Sequence, residues 1–177
     1  MYLFQYLQLI QRLANAEVCL YTAVNQLNLS LYTTSPNQII SHNTKFKVFW
    51  RHKFFMNSYN TAQHINSQVN ASVTYKTDLE QYGKPEHWCL PTAFGDCEDY
   101  ALAKRNALLN AGWPKNKLGL CICEAFGSGH CCLWVETDKG SFILDNNYAL
   151  PVKPSELPYK WESMLCDGVW QQLHGFA

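Results

Sequence analysis

The chain has 177 residues, of which 47% are hydrophobic and 16% are charged. This length suits about one domain with a sizeable core, and this much apolar material excludes a wholly disordered chain. Lys plus Arg and Asp plus Glu number 14 each, and the resulting net charge of zero excludes a strongly basic nucleic-acid-binding protein and an acidic tail protein. The charge is unevenly spread, because residues 1–77 hold six basic residues and one acid, whereas residues 78–177 hold eight and 13.

The N-terminal part, residues 1–57, is predicted to be an extension that precedes the main domain. Residues 2–27 predict an amphipathic helix, and the Asn, Ser and Thr residues of 28–44 predict a loop or linker. Residues 45–55 mix Lys and Arg with Phe and Trp. Such a mixture can hold single-stranded nucleic acid, but we expect a half-buried strand or helix edge here, because nothing else in the chain indicates a nucleic-acid groove.

The sequence lacks the marks of a membrane or secreted protein. No apolar run reaches the roughly 18 residues of a membrane span. Residues 1–20 have no basic start, and Arg12 and Glu17 interrupt their apolar stretch, which argues against a secretory signal. The eight cysteines include the adjacent pair Cys131 and Cys132, which fits a simple disulfide framework poorly. We therefore expect a soluble, reduced, cytoplasmic chain.

The main domain, residues 58–177, is predicted to be α+β, because a strong helix is followed by consecutive antiparallel strands. A polar helix near 60–71 leads to a turn-rich stretch at 82–91. The strong helix covers 97–110 and ends before Gly112. Three short strands are predicted after it, at 118–123, 131–137 and 141–145.

Three residues at the ends of these elements form a candidate catalytic set. Cys97 begins the strong helix, where the free N–H groups and the helix dipole lower the pKa of a thiol and can hold an oxyanion. His130 follows a Gly-Ser-Gly turn at the start of a strand, and Asp145 closes the next strand. These are the three roles of a Cys–His–Asp triad. A one-for-one register around the hairpin at 138–140 misaligns His130 and Asp145 by three residues, so we expect a bulge or a longer turn.

The motif Gly-Asp-Cys-Glu-Asp-Tyr at 95–100 is followed in order by Gly-His at 129–130 and Leu-Asp-Asn at 144–146. With these motifs the chain resembles the bacterial transglutaminase-like cysteine proteinases, whose LapG-type members are periplasmic enzymes that cut surface adhesins. The resemblance covers roughly residues 60–173. Further similar segments are 65–78, 82–91, 101–114 and the Tyr-x-Trp of 159–161.

The resemblance implies a papain-like, transglutaminase-core fold in which the helix that bears the nucleophile packs on an antiparallel sheet. It implies that Cys97 is the nucleophile, His130 the general base and acid, and Asp145 the residue that orients His130. The backbone N–H of Cys97 would form part of the oxyanion hole, and Trp88 is a candidate to assist it. A periplasmic location, as in LapG-type members, stands as the alternative to a cytoplasmic one.

The resemblance also makes calcium a candidate ligand, although the triad chemistry itself needs no cofactor. LapG-type members bind calcium through acids that flank the nucleophile, and Asp96, Glu98 and Asp99 match that cluster. Carboxylate oxygens are suitable Ca²⁺ ligands. Acids in a first helical turn are also stabilised by the helix dipole without any metal, so both explanations stay open.

These observations predict a cysteine peptidase that cleaves a protein substrate through an acyl-enzyme on Cys97. Transglutaminase-type transfer to an amine would use the same acyl-enzyme, and a non-catalytic interaction module on the same fold is a further alternative. A second type of site is a zinc centre, because thiol and imidazole ligands are numerous along two of the strands. Its candidate ligands are Cys121, Cys123, His130, Cys131 and Cys132. The sequence leaves the oligomeric state open.

Overall fold

The structure is a computed structural model that describes residues 57–176. The predicted amphipathic helix at 2–27, the linker at 28–44 and the basic-aromatic segment at 45–55 therefore lie outside the described residues. The proposed boundary between residues 57 and 58 stays a prediction. No helix among residues 57–176 has both the length and the apolar character to cross a membrane.

The described chain contains three α-helices and seven strands. The first half holds α1 (Ser58–Ser72), β1 (Thr74–Tyr75), α2 (Asp78–Tyr82), β2 (Phe94–Gly95) and α3 (Cys97–Asn110). The second half holds β3 (Leu118–Ala125), β4 (Ser128–Thr137), β5 (Gly140–Leu144), β6 (Lys160–Cys166) and β7 (Val169–Gln172). Short 3-10 helices occupy Lys115–Lys117 and Pro154–Glu156.

The main sheet is antiparallel and has the strand order β5-β4-β3-β6-β7. Helices α1 and α3 pack against each other and against β4, which buries Leu133 and Val135 of this strand completely. A separate parallel pair joins β1 to β2, with Tyr75 opposite Gly95. The α+β prediction is confirmed, with the helix that begins at Cys97 packed on the antiparallel sheet.

Helix α2 lies just before the stretch that the sequence indicated as rich in turns. Thr77 and Glu80 form a capping box at its start. Gly83 ends it with φ +64, in the left-handed region that favours glycine. The helix has only five residues, so its hydrophobic pattern is too short to be recognised from the sequence.

Polar contacts from α1 hold the two loops on either side of β5. The backbone N–H of Tyr59 donates to Asp138 Oδ1 (2.8 Å), so the turn between β4 and β5 caps the start of this helix. The amide of the fully buried Asn66 donates to the carbonyl of Tyr148 (2.9 Å). One turn later, the Asn70 amide donates to the carbonyl of Asp145 (2.9 Å). Helix α1 therefore positions the segment that follows β5.

Candidate active site

Cys97 is the first residue of α3. The chain that leads to it passes close to the helix, and this close contact requires the glycine two residues before Cys97. A Cβ atom on Gly95 would lie 2.7 Å from Cβ of Asp99, so no larger residue fits there without a shift of the helix. The Cys97 thiol donates to Glu98 Oε2 (3.1 Å), and its sulfur accepts the backbone N–H of Cys131 on β4. The structure thus places the thiol beside the residue that follows His130.

The pKa of the Cys97 thiol lies well above its ordinary value in this structure. Burial is the main cause, followed by the charge and the hydrogen bond of Glu98, and these outweigh the N–H of Cys131. The lowered pKa expected from the helix start is therefore wrong for this arrangement, because burial of the thiol, assisted by Glu98, raises the pKa instead.

His130 and Asp145 are in direct contact. His130 Nε2 lies 3.0 Å from both carboxylate oxygens of Asp145. The pKa of Asp145 is below its usual value, because hydrogen bonds and the His130 charge outweigh the opposing effect of burial. Since an ionised carboxylate only accepts hydrogen bonds, Nε2 is the donor. The neutral imidazole then carries its lone pair on Nδ1, the nitrogen that a general base would use.

Two further groups hold the Asp145 carboxylate. The hydroxyl of Tyr159 donates to Oδ2 (2.9 Å), and the backbone N–H of Asn147 donates to Oδ1 (2.8 Å). The Tyr159 ring also contacts the His130 ring edge-on, with centroids 5.7 Å apart. Tyr159 therefore contacts both members of the pair and was missed by the sequence reasoning, although it belongs to the Tyr-x-Trp segment already singled out.

The predicted bulge or longer turn between β4 and β5 is wrong. The two strands pair one-for-one from Thr137↔Gly140 to Leu133↔Leu144, and a two-residue turn joins them. Asp145 lies one residue beyond the last pair, where the chain leaves the ladder and Asn147 folds back onto its carboxylate. The side chain reaches His130 from outside the ladder, so strand register does not constrain the contact.

Carboxylates converge next to Cys97. Oxygen atoms of Asp78, Asp96 and Glu98 lie within 4.8 Å of one another, and all three residues are buried. Burial and the neighbouring Asp96 raise the pKa of Glu98 to about 10, and the same two causes raise the pKa of Asp78. Among residues 57–176, Asp96 Oδ1 is buried without a hydrogen-bond partner. The oxygen ligands of this carboxylate set are of the type that suits a cation such as Ca²⁺.

The resemblance placed Asp99 in this acidic cluster, whereas in the structure its carboxylate contacts Cys89 instead. Asp99 Oδ1 accepts the backbone N–H of Cys89 (2.9 Å), and Asp78 takes the third place beside Asp96 and Glu98. Asp78 lies 18 residues before Asp96 and comes near it because β1 pairs with β2; its own backbone N–H donates to Asp96 Oδ2 (3.2 Å).

Trp88 and the cysteines of the sheet complete the set of candidate residues. The Trp88 indole N–H donates to Glu86 Oε2 (3.2 Å), so a role in the oxyanion hole would require that bond to break. We call Asp78, Asp96 and Glu98 the acidic trio. In the part of the chain that the structure describes, it is the one group of three or more metal-ligating side chains that converges within 4.8 Å. The zinc alternative therefore gains no support from the geometry. Cys131 and Cys132 follow each other on a strand and so project to opposite faces of the sheet.

Comparison with known proteins identifies the family. The family model described as bacterial transglutaminase-like cysteine proteinase matches residues 39–175, which is more than half of the chain. The chain belongs to the bacterial transglutaminase-like cysteine proteinases. The expected membership is confirmed, and the match begins upstream of residue 58, inside the segment assigned to the extension. Comparison with curated proteins gives no significant match.

Solved structures of this proteinase family share the fold. The calcium-bound structure of Legionella pneumophila LapG matches with a TM-score of 0.56 and 23% identity, over 66% of this chain and 69% of that chain. A second structure of Legionella pneumophila LapG matches with a TM-score of 0.55 and 24% identity, over 64% and 68%. An EGTA-treated form matches with a TM-score of 0.50 and 23% identity, over 63% and 69%.

Proposed function

We propose that this chain is a cysteine peptidase that cleaves a protein substrate through a Cys97–His130–Asp145 triad. The observation that carries the proposal is the imidazole of His130, which Asp145 holds at 3.0 Å through Nε2. This contact leaves Nδ1 free to act as the base for a thiol that lies against the adjacent backbone of β4. Family membership supports a protein substrate.

In the proposed reaction, Nδ1 of His130 takes the proton from the Cys97 thiol, and the sulfur attacks the carbonyl carbon of a peptide bond. The thiol must first give up its hydrogen bond to Glu98. The first amide N–H groups of α3, including that of Cys97, have no partner within the helix and can hold the oxyanion. Collapse of the intermediate breaks the C–N bond, and the imidazolium donates its proton to the leaving amine. Water then hydrolyses the thioester, with His130 again as the base.

Asp145 has two functions in this scheme. Its carboxylate fixes the tautomer and the orientation of the imidazole, and its negative charge stabilises the imidazolium that forms after proton transfer. The carboxylate can do so because it is ionised in the buried site, where Tyr159 and Asn147 provide the hydrogen bonds that solvent would otherwise supply.

We also propose that Asp78, Asp96 and Glu98 hold a calcium ion. The three carboxylates offer the oxygen ligands that Ca²⁺ prefers, and the unpartnered Asp96 Oδ1 is an additional site for coordination. The calcium-bound LapG structure has the same fold. When bound, calcium would supply the positive charge that neutralises the buried acids at the start of α3.

Alkylation of Cys97 tests the triad. Iodoacetamide should label Cys97 of the wild-type chain in calcium-containing buffer at pH 7, as measured by mass spectrometry of the peptide that contains it. His130→Ala should slow labelling by about tenfold or more, because the thiol loses its base. His64→Ala is the matched control, since His64 lies on the exposed side of α1 and should leave the rate unchanged. Equal labelling of the wild type and His130→Ala would contradict the proposal.

A substrate trap tests the peptidase activity itself. Cys97→Ala should retain a protein partner that the wild type releases as two fragments, and mass spectrometry of the fragments gives the cleavage site. A product joined to an added primary amine, rather than a free carboxyl terminus, would indicate acyl transfer instead of hydrolysis.

A further inference from the structure

Phe126 adopts a backbone conformation that phenylalanine disfavours. It occupies the two-residue turn between β3 and β4, in which Ala125 pairs with Ser128. Phe126 has φ +53 and Gly127 has φ +83, so both turn residues are in the left-handed region. A turn with two positive φ angles prefers Asn or Gly at its first position, and a side chain such as that of Phe is strained there.

Burial in the core does not compensate for this cost. The Phe126 side chain is 73% exposed, the largest exposure among the large hydrophobic side chains of residues 57–176. Its ring rests edge-on against the ring of Tyr159, with centroids 5.8 Å apart. A strained and exposed apolar residue is a reason to look for a function at that position.

The position of Phe126 is next to the candidate catalytic pair. Tyr159, the ring on which Phe126 rests, contacts His130 and donates its hydroxyl to Asp145. The turn itself is open, because a Cβ atom added to Gly127 or Gly129 would meet no described atom within 4 Å other than those of its chain neighbours. The exposed ring of Phe126 is therefore separated from His130 by the Tyr159 ring, which both residues contact.

We propose that Phe126 is a specificity-determining residue that forms an apolar wall of the substrate cleft and contacts an apolar side chain close to the scissile bond. This inference rests on the proposed function. The edge-on contact with Tyr159 supports one side of the ring, which lowers the cost of ordering it when the substrate binds. The apolar surface left exposed in the free protein is then buried by the substrate, which favours apolar residues over polar ones.

Two alkylating reagents that carry the same iodoacetamide group measure this contact. We would compare iodoacetamide with N-(2-phenylethyl)iodoacetamide at Cys97, each rate divided by the rate of the same reagent with free cysteine. The wild type should react with the aromatic reagent about five- to tenfold faster, a preference that corresponds to the burial of part of one apolar side chain. Phe126→Asn should lower this preference to near one.

The variants separate specificity from stability. Asn prefers the left-handed turn, so Phe126→Asn should melt at the same or a higher temperature than the wild type. Val169→Thr is the matched control, because Val169 is also exposed (58%) but pairs with Cys166 at the opposite end of the sheet. It should retain the full aromatic preference.

An equal aromatic preference in the wild type and Phe126→Asn would overturn this inference and leave the triad proposal intact. A marked loss of melting temperature in Phe126→Asn would also count against it, since the ring would then serve the fold. Absence of Cys97 labelling by both reagents in the wild type would overturn the triad proposal, and this inference with it.

Discussion

At the scale of single residues, the polar contacts of the site converge on Asp145. The Tyr159 hydroxyl donates to Asp145 Oδ2, an oxygen that also lies 3.0 Å from His130 Nε2. Tyr159→Phe removes that hydrogen bond and keeps the ring against His130. We expect Cys97 alkylation at pH 7 to slow by about tenfold, because a hydrogen bond to a charged group contributes about 1.5–3 kcal/mol. Stopped-flow or mass-spectrometric labelling rates measure the effect.

Tyr148→Phe is the control for this prediction, since its ring lies 6.5 Å from that of Tyr159. It should label at the wild-type rate. The pH profile distinguishes an electrostatic role from a purely structural one. Loss of the Tyr159 hydroxyl should shift the midpoint of the rate profile, whereas a general loosening of the fold would lower the rate at all pH values alike.

Lys104 provides a second test at the residue scale. This residue of α3 is fully buried, and its Nζ has no hydrogen-bond partner among the described residues. Burial lowers its pKa to about 7, although Asp145 opposes the shift. Below pH 7 the amine is protonated in both the folded and the unfolded states, so the buried charge then lowers the free energy of unfolding by its full amount. Between pH 7 and the unfolded pKa near 10.5 the folded amine is neutral, and the cost declines as pH rises.

Lys104→Met should therefore stabilise the protein more at pH 6 than at pH 9, by about 3 kcal/mol in the difference between the two free energies of unfolding. Chemical denaturation at both pH values gives this quantity. Lys160→Met is the control, because the Lys160 side chain is 77% exposed, and its effect should be the same at both pH values. A Lys104→Met effect that does not vary with pH would contradict the prediction.

At the scale of elements, the start of α3 brings the nucleophile and the acidic trio together. We predict that CaCl₂ raises the melting temperature of the full chain, because a ligand at 100 times its dissociation constant stabilises the folded state by about 2.7 kcal/mol. Asp78→Asn keeps an oxygen acceptor for the backbone N–H of His87 but removes one charge from the trio. It should abolish most of the calcium-induced shift.

Asp99→Asn is the matched control in the first turn of α3, because the Asp99 carboxylate accepts the N–H of Cys89 instead of joining the trio. It should keep the calcium-induced shift in melting temperature. MgCl₂ at the same concentration should have little effect, since Mg²⁺ requires a stricter octahedral set. Equal loss of the shift in Asp78→Asn and Asp99→Asn would refute the assignment of Asp78 as a ligand.

The elements that the sequence predicted are those with a local signal. Helix α3 was predicted with its observed bounds, because its apolar pattern and its ending are encoded within some 15 residues. Asp78 could not be placed in the acidic trio, since its approach to Asp96 requires the β1–β2 pairing across 18 residues. The sequence paired Asp145 with His130 by their catalytic roles but predicted the wrong strand geometry for the contact, because the contact forms outside the strand ladder.

At the scale of the whole molecule, four buried cysteines report on the cooperativity of the sheet. They lie on adjacent strands, with Cys121 opposite Cys132 and Cys131 opposite Ile122, and each is at most 2% exposed. The four are Cys121, Cys123, Cys131 and Cys132. If the sheet and its helices unfold as one unit, all four thiols become reactive through the same opening, and their labelling rates have the same dependence on denaturant.

We predict that outcome for iodoacetamide labelling at increasing guanidinium concentration, followed residue by residue with mass spectrometry. Cys89, half-buried in the segment between α2 and β2, is the internal control and should label without global unfolding. Earlier labelling of Cys131 than of Cys132 would contradict a single unit, because the two residues face opposite sides of β4. It would show that the face of the sheet that packs against α1 and α3 opens separately. Because Cys131 donates its N–H to the Cys97 sulfur, that opening would also release the Cys97 side chain.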